Sequence, residues 1–264
     1  MIPRATKPDF YSSDHAAAFQ FPGVAAAYWT RPPYPPHTFH ELERLIVDEP
    51  RVVLDAGCGI GNFARELAPR VDRMDALDVS APMIEEARRQ PGGDAPNIRW
   101  ILGPAETAPL EPAYALIVAG AALHWFDWAT VLPRFGSVLT PNGALAVVED
   151  VIAPPAWQPE LLPLILRYTT NPTLDLSWNW IHHLRDSGLL DLCTEIRTAS
   201  IEFRQPVADY IESFHARESL TRERLGSECA AAFDTTLRAI LGRYVDSHVT
   251  LTISAHIWVT KPKA

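Results

Sequence analysis

The chain has 264 residues, 47% hydrophobic and 21% charged, enough for one large buried core and close to the globular average, which excludes a disordered or fibrous chain. Its 23 Lys and Arg stand against 32 Asp and Glu for a formal charge of -9. That sign opposes sequence-independent attraction to nucleic acid or to an anionic membrane, so the expected partner is a small molecule.

Cys58, Cys193 and Cys229 are odd in number and far apart, and no second Cys or His stands near any of them at metal-ligand spacing. Free thiols in a reducing cytoplasm and no metal site are therefore expected. Arg4 and Lys7 are followed by no apolar run, and the longest apolar stretch, around Tyr114 to Phe126, is too short for a bilayer. Neither export nor a membrane span is expected.

Along the chain, residues 1–36 read as a stiff amino-terminal segment, because "YWTRPPYPPH" holds four prolines and cannot be helical. From His37 to Val47, Phe39, Leu42, Leu45 and Ile46 recur at helical spacing. "RVVLDA" is a first strand, and the glycines after it lead to Phe63, Ala64, Leu67 and Ala68 on one helix face. The unit repeats as the strand "RMDALDV" and the helix "SAPMIEEARRQ", with Ser80 as N-cap and Pro82 in the first turn. "IRWILG" and the fully apolar "ALIVAG" are a third and fourth strand. A helix over Trp128 to Val138 stops at Pro141-Asn142-Gly143 before a fifth strand, "ALAVVED".

Strands alternating with helices over 37–150 predict a doubly wound, mostly parallel α/β sheet. After Asp150 the rhythm breaks, and 151–195, rich in Pro, Trp and His, reads as an inserted helical cap. The remaining strands fall in 196–264, as "ASIEFR" and the alternating "HVTLTISAHIWVT". The alternation suits an antiparallel last strand near the sheet edge and makes seven strands in all. Between these two strands, 207–244 is a second helical insertion with Phe233, Leu237, Ile240, Leu241 and Tyr244 on one face.

A glycine-rich turn after the first strand puts bare backbone at the carboxyl edge, where open α/β sheets bind ligands. A dinucleotide fingerprint counted from Gly57 and Gly59 requires its third glycine at 62, where Asn62 stands. Asp55, two residues ahead of Gly57, would repel a pyrophosphate and suits an ammonium group such as methionine's, or else it caps the helix behind the loop. Asp78 ends the second strand, where a carboxylate accepts from ribose hydroxyls; Ser80 is the better cap for the helix that follows. Met83, one turn on, packs against an adenine or sits in the core.

"VVLDAGCGIGNFARELA", "LDVSAPMIEEAR", "GPAETAPL" and "ALIVAGAALHWF", with "AAAYWTRPPYP" ahead of them, resemble the class I S-adenosylmethionine-dependent methyltransferases of the type 11, trans-aconitate methyltransferase-like group. The resemblance runs from about Phe21 to Asp150. It implies a Rossmann-like core, S-adenosylmethionine as cofactor, and the methionine moiety on Asp55, Gly57 and Gly59. It also implies ribose on Asp78, and adenine near Ala105 and Glu106 with Met83 on one face. Two positions depart from the group: Pro104 stands where many members have an adenine-facing Asp, and Ala115 replaces a common Asp.

The reaction expected is methylation of a small organic acceptor, with an oxygen of a carboxylate or hydroxyl favoured. The alternative is a cofactor-binding or regulatory module without transfer, or a non-methylating enzyme on the same fold. Alignment and desolvation can supply most of the rate without a base. If a base exists, His124, at the end of the fourth strand, is the candidate; otherwise His124 and Trp125 form pocket wall. Trp178, Trp180, His182 and His183 in the cap could shield an apolar acceptor or form the cap's own core, and adjacent histidines on a helix diverge too far to share a metal. Arg167, Arg185, Arg217 and Arg222 lie in the insertions, where one could hold an acceptor carboxylate.

Overall fold

The computed structural model describes residues 7–173, 175 and 180–263, so Trp178 lies outside the described residues. The amino-terminal segment folds as short turns of helix: a 3-10 turn at Asp9–Tyr11, α1 (Ser13–Ala16), a second 3-10 turn at Ala17–Gln20, and α2 (Pro22–Tyr28). Pro22 opens α2, where its missing N–H is harmless. The proline-rich run then stays out of helix until Pro36 opens α3 (Pro36–Arg44).

The alternating part follows as β1 (Val52–Ala56), α4 (Asn62–Leu67), β2 (Arg73–Asp78), α5 (Ala81–Arg89), β3 (Ile98–Leu102), β4 (Tyr114–Gly120), α6 (Trp128–Val138) and β5 (Leu139–Ile152). Ser80 caps α5 by accepting the Met83 N–H at 3.3 Å, and Asp127 caps α6 by accepting from Ala129 at 3.2 Å. The fifth strand starts earlier than its apolar run, at Leu139, because Pro141-Asn142-Gly143 lies within a register shift against β4 and does not interrupt pairing.

Beyond it come α7 (Gln158–Tyr168), α8 (Trp180–Asp186), β6 (Leu190–Arg197), β7 (Ile201–Pro206), α9 (Val207–His215), α10 (Arg222–Leu241, kinked at Gly226) and β8 (His248–Pro262). Among the described residues the seven strands expected become eight. Leu190–Arg197, most of it in the stretch read as cap, pairs with the second half of β8, while β7 pairs with the first half. Both occupy one edge, so eight strands fill seven positions in the order β3-β2-β1-β4-β5-β8-β6, with β7 also beside β8. β8 is antiparallel as expected but sits one place in from the edge. β6 was illegible because most of its residues are exposed or half-buried, so no apolar alternation marks it.

Successive strand residues feed opposite faces of the sheet. Leu54, Ile117, Leu145 and Val147 meet Phe135, Leu132 and Trp128 of α6, while Val53, Leu116, Val118, Ala146 and Val148 meet Phe63 and Leu67 of α4 and Phe39 and Leu42 of α3. Both faces are covered, which is why these strands read as unbroken apolar runs. A third cluster joins α7, α9 and α10 to the first half of β8 through Trp157, Leu161, Tyr210, Phe214, Phe233 and Leu237. Among the described residues no helix is long and apolar enough to cross a membrane.

Strand order reverses at β1, with β2 and β3 on one side and β4 and β5 on the other. A crevice therefore opens beyond the carboxyl ends of β1 and β4. Phe135 is fully buried under the sheet, so Phe135→Ala should cost about 3–5 kcal/mol, read as a fall in the urea midpoint with unchanged slope.

Candidate active site

A cavity of about 680 Å³ occupies that crevice, within the range of about 300–1,000 Å³ usual for small-molecule sites. Its floor is the turn after β1. Gly57 and Gly59 adopt left-handed φ of 73° and 53°, which side chains disfavour. A Cβ on Gly57 would also lie 2.6 Å from that of Ala122, whereas one on Gly59 would meet nothing within 4 Å. The loop thus leaves open space above Gly59.

The turn is fastened to the end of β2. Gly57 and Cys58 donate to the Leu77 carbonyl at 2.8 and 3.0 Å, and Gly59 donates to Asp78 Oδ2 at 2.8 Å. Asp78 Oδ1 accepts the Ser80 N–H at 2.8 Å. Burial raises the Asp78 pKa, opposed by the backbone N–H groups of Ser80, Gly59 and Val79. Gly57, Gly59, Asp78, Met83, Ala105 and Glu106 all line this cavity, as does Pro104. Met83 lines the cavity and is also a core residue, 1% exposed and clustered with Val24, Ala25 and Ile60. The loop carrying Ala105 is clamped by Arg134, whose guanidinium donates to the Ala105 carbonyl at 2.9 Å and to that of Ala108. Ala115 is fully buried inside β4.

Asp55 is placed elsewhere. It is completely buried beneath the loop and is not part of the cavity lining; Oδ2 accepts the Ala64 N–H of α4 at 3.0 Å while Oδ1 has no partner. Burial, with the charge of Asp78, pushes its pKa up to about 7 against the Ala64 hydrogen bond. This is the helix-capping alternative, with the carboxylate on the first turn of α4.

His124 is also set back from the lining, within a polar cluster at the carboxyl end of β5. Its Nδ1 faces Glu149 Oε1 at 3.9 Å, too far for a hydrogen bond, and both atoms are buried without a partner. Burial lowers the His124 pKa to about 3, helped by Lys7 and Arg31. Burial raises that of Glu149 to about 8, helped by Asp150. Tyr11 stacks on His124 with ring centres 4.7 Å apart, and Trp180 lies 5.6 Å away on the other element.

Several cavity residues escaped the sequence reading. Lys7, Phe19, Gln20 and Tyr28 bring the amino-terminal segment over the pocket, with Lys7 Nζ donating to the Trp125 carbonyl at 2.7 Å and Gln20 to that of Val79 at 3.1 Å. Arg31 reaches back to the Tyr28 hydroxyl at 3.3 Å and to Asp150 at 3.6 Å. The signal for Tyr28 and Arg31 was the "AAAYWTRPPYP" segment that forms part of the family resemblance.

Residues 53–143 match a family model described as a methyltransferase domain. A trans-aconitate 2-methyltransferase of Methylobacterium radiotolerans is 39% identical over 118 residues, 43% of this chain and 44% of that protein. The chain spans about half the length of the curated relatives it matches. A solved chain from Anaeromyxobacter dehalogenans, named for the type II methyltransferases, superposes with a TM-score of 0.58 at 24% identity, covering 88% of this chain and 97% of that one. A S-adenosylmethionine-dependent methyltransferase of Thiobacillus denitrificans, crystallised with S-adenosylhomocysteine, superposes at 0.52 and 16% identity over 91% and 97%. Residues 53–143 are thus similar to a methyltransferase domain, and the chain adopts the class I methyltransferase fold.

The two perturbed groups set opposite pH slopes. Between about 4.5 and 8 only folded Glu149 keeps its proton, so its contribution to stability is lost as pH rises through that window, and Asp55 acts in the same direction up to about 7. Below about 6.5 unfolded His124 binds a proton that the folded form refuses until about 3, so stability falls as pH falls there. Glu149→Gln should therefore lessen the decline of the urea midpoint between pH 4.5 and 8 and leave the acid-side decline in place.

Proposed function

We propose that this chain is a S-adenosylmethionine-dependent methyltransferase acting on a small organic molecule, with a carboxylate oxygen as the acceptor. The observation that carries the reading is the Asp78 carboxylate in the cavity wall, bonded to Gly59 N–H beside a loop that leaves open space. That donor set fits the cofactor: Asp78 would accept the ribose hydroxyls, Met83 and Ala105 would flank adenine, and Gly57 with Gly59 would admit the methionine chain against bare backbone. Asp55 would act through the loop, by holding the first turn of α4.

Bound S-adenosylmethionine supplies a methyl group on a positively charged sulfonium, open to in-line attack by an oxygen nucleophile. The chain's own residues favour an acceptor that arrives charged. A hydroxyl must lose its proton, yet His124, with its pKa near 3, is a weak base, and Glu149, with its pKa near 8, is a neutral acid at pH 7. A carboxylate needs no base. Aromatic groups at Phe19, Trp125, Phe126 and Trp128 supply a dry wall, which strengthens attraction between an anion and a sulfonium. The relative named for trans-aconitate methylation points to the same acceptor class.

Two measurements test this. Asp78→Ala should weaken S-adenosylhomocysteine binding by roughly tenfold to hundredfold in calorimetry, the loss of hydrogen bonds worth about 1.5–3 kcal/mol. His124→Phe should lower kcat less than about tenfold in release of S-adenosylhomocysteine with fractionated organic acids, whereas a general base is worth about 10²–10⁴-fold; a thousandfold loss would restore His124 as the base and a hydroxyl as the acceptor.

A further inference from the structure

Of the four arginines singled out in the inserted segments, three have partners. Arg222 is held by Glu212 at 2.5 Å and Asp234 at 3.0 Å, Arg185 by Asp186 at 2.8 Å, and Arg167 lies 5.4 Å from the centre of the Tyr168 ring. Arg217 is different. It forms no ion pair with any described residue, its Nε is buried without a hydrogen-bond partner, and its guanidinium lies 4.9 Å from the Phe214 ring centre. Asp150 and Glu218 act on it only from beyond ion-pair distance.

Arg217 is half-buried, and an Nε shielded from water without an acceptor is a costly arrangement in a fold. Burial lowers the Arg217 pKa, and Arg31 lowers it further, but a guanidinium stays protonated in proteins. An incoming anion is what relieves it.

The surroundings say where that anion belongs. Arg217 follows α9, which packs against α2, and α2 ends at Tyr28 in the cavity wall. Arg31 joins the two, bonded to the Tyr28 hydroxyl and paired with Asp150. With Arg31 balanced by Asp150 and Glu149 holding its proton to about pH 8, Glu218 is the carboxylate left to act on Arg217, and it does so only from beyond ion-pair distance.

We infer that Arg217 holds a carboxylate of the methyl acceptor and thereby selects anionic acceptors for the pocket behind Tyr28. The planar fork of a guanidinium binds a carboxylate through two parallel hydrogen bonds. The assignment rests on the methyltransferase reading above, and it makes Arg217 a specificity-determining residue supplied by the second insertion.

The test uses the full chain saturated with S-adenosylhomocysteine, as wild type, Arg217→Met and Arg217→Lys, in thermal melts with succinate, citrate, benzoate and inorganic phosphate. At least one carboxylate should raise the wild-type Tm where phosphate does not; the effect should vanish in Arg217→Met and survive in part in Arg217→Lys. For a carboxylate methylated by the wild type, Arg217→Met should raise KM about tenfold to hundredfold, as for a lost charge-assisted hydrogen bond, with kcat within a few-fold. S-adenosylhomocysteine affinity should be equal in all three proteins, and Arg217→Lys carries the comparison if Arg217→Met fails to fold. Wild type that binds no S-adenosylhomocysteine sinks the methyltransferase reading itself. Tight binding of S-adenosylhomocysteine with equal carboxylate responses in wild type and variants, with no response in any, or with stabilisation by phosphate instead, overturns the role of Arg217 alone.

Discussion

The N–H groups of Gly57 and Cys58 share the Leu77 carbonyl as acceptor, and the site depends on that junction. It ties the turn after β1 to the last residues of β2, so the next N–H, that of Gly59, falls on the Asp78 carboxylate. Without left-handed φ at Gly57 and Gly59 the turn could not double back within so few residues. The reversal of strand order at β1 then leaves the crevice beyond this turn uncovered by any crossover helix.

A second constraint governs the other end of the cavity. Glu149 and Asp150 end the buried part of β5, and the amino-terminal segment and α9 close over them, bringing Tyr28, Arg31, His124 and Arg217 into a region with little water. Desolvation then decides protonation: His124 is neutral and poorly basic, Glu149 keeps its proton, and the arginines keep their charges. A region with an arginine outside any ion pair among the described residues and no competent base is suited to an acceptor that brings its own negative charge. The two insertions also share an apolar cluster with β8, so the segment that carries Arg217 is anchored to the sheet and is not a loose lid.

What could be read from residues alone was local. The runs at β1, β2, β4 and β5, the Ser80 cap, the span of α6 and the spacing of Gly57 and Gly59 ahead of Asp78 follow from periodicity, capping and turn chemistry, which neighbours along the chain determine. These were enough for the sheet type and for Gly57, Gly59, Asp78 and Met83 in the cavity lining, while Ala105 and Glu106 came from the family resemblance. Tertiary structure decided the rest. Asp55 could face a ligand or a helix, and only the depth of β1 turned it toward Ala64. β6 carries no apolar alternation and becomes a strand because β8 offers it an unpaired edge. Glu149 carries no local signal, and Arg217 was one of four arginines that the sequence could not tell apart; their chemistry arises from burial and from charged neighbours, quantities that exist only once distant segments have been folded together.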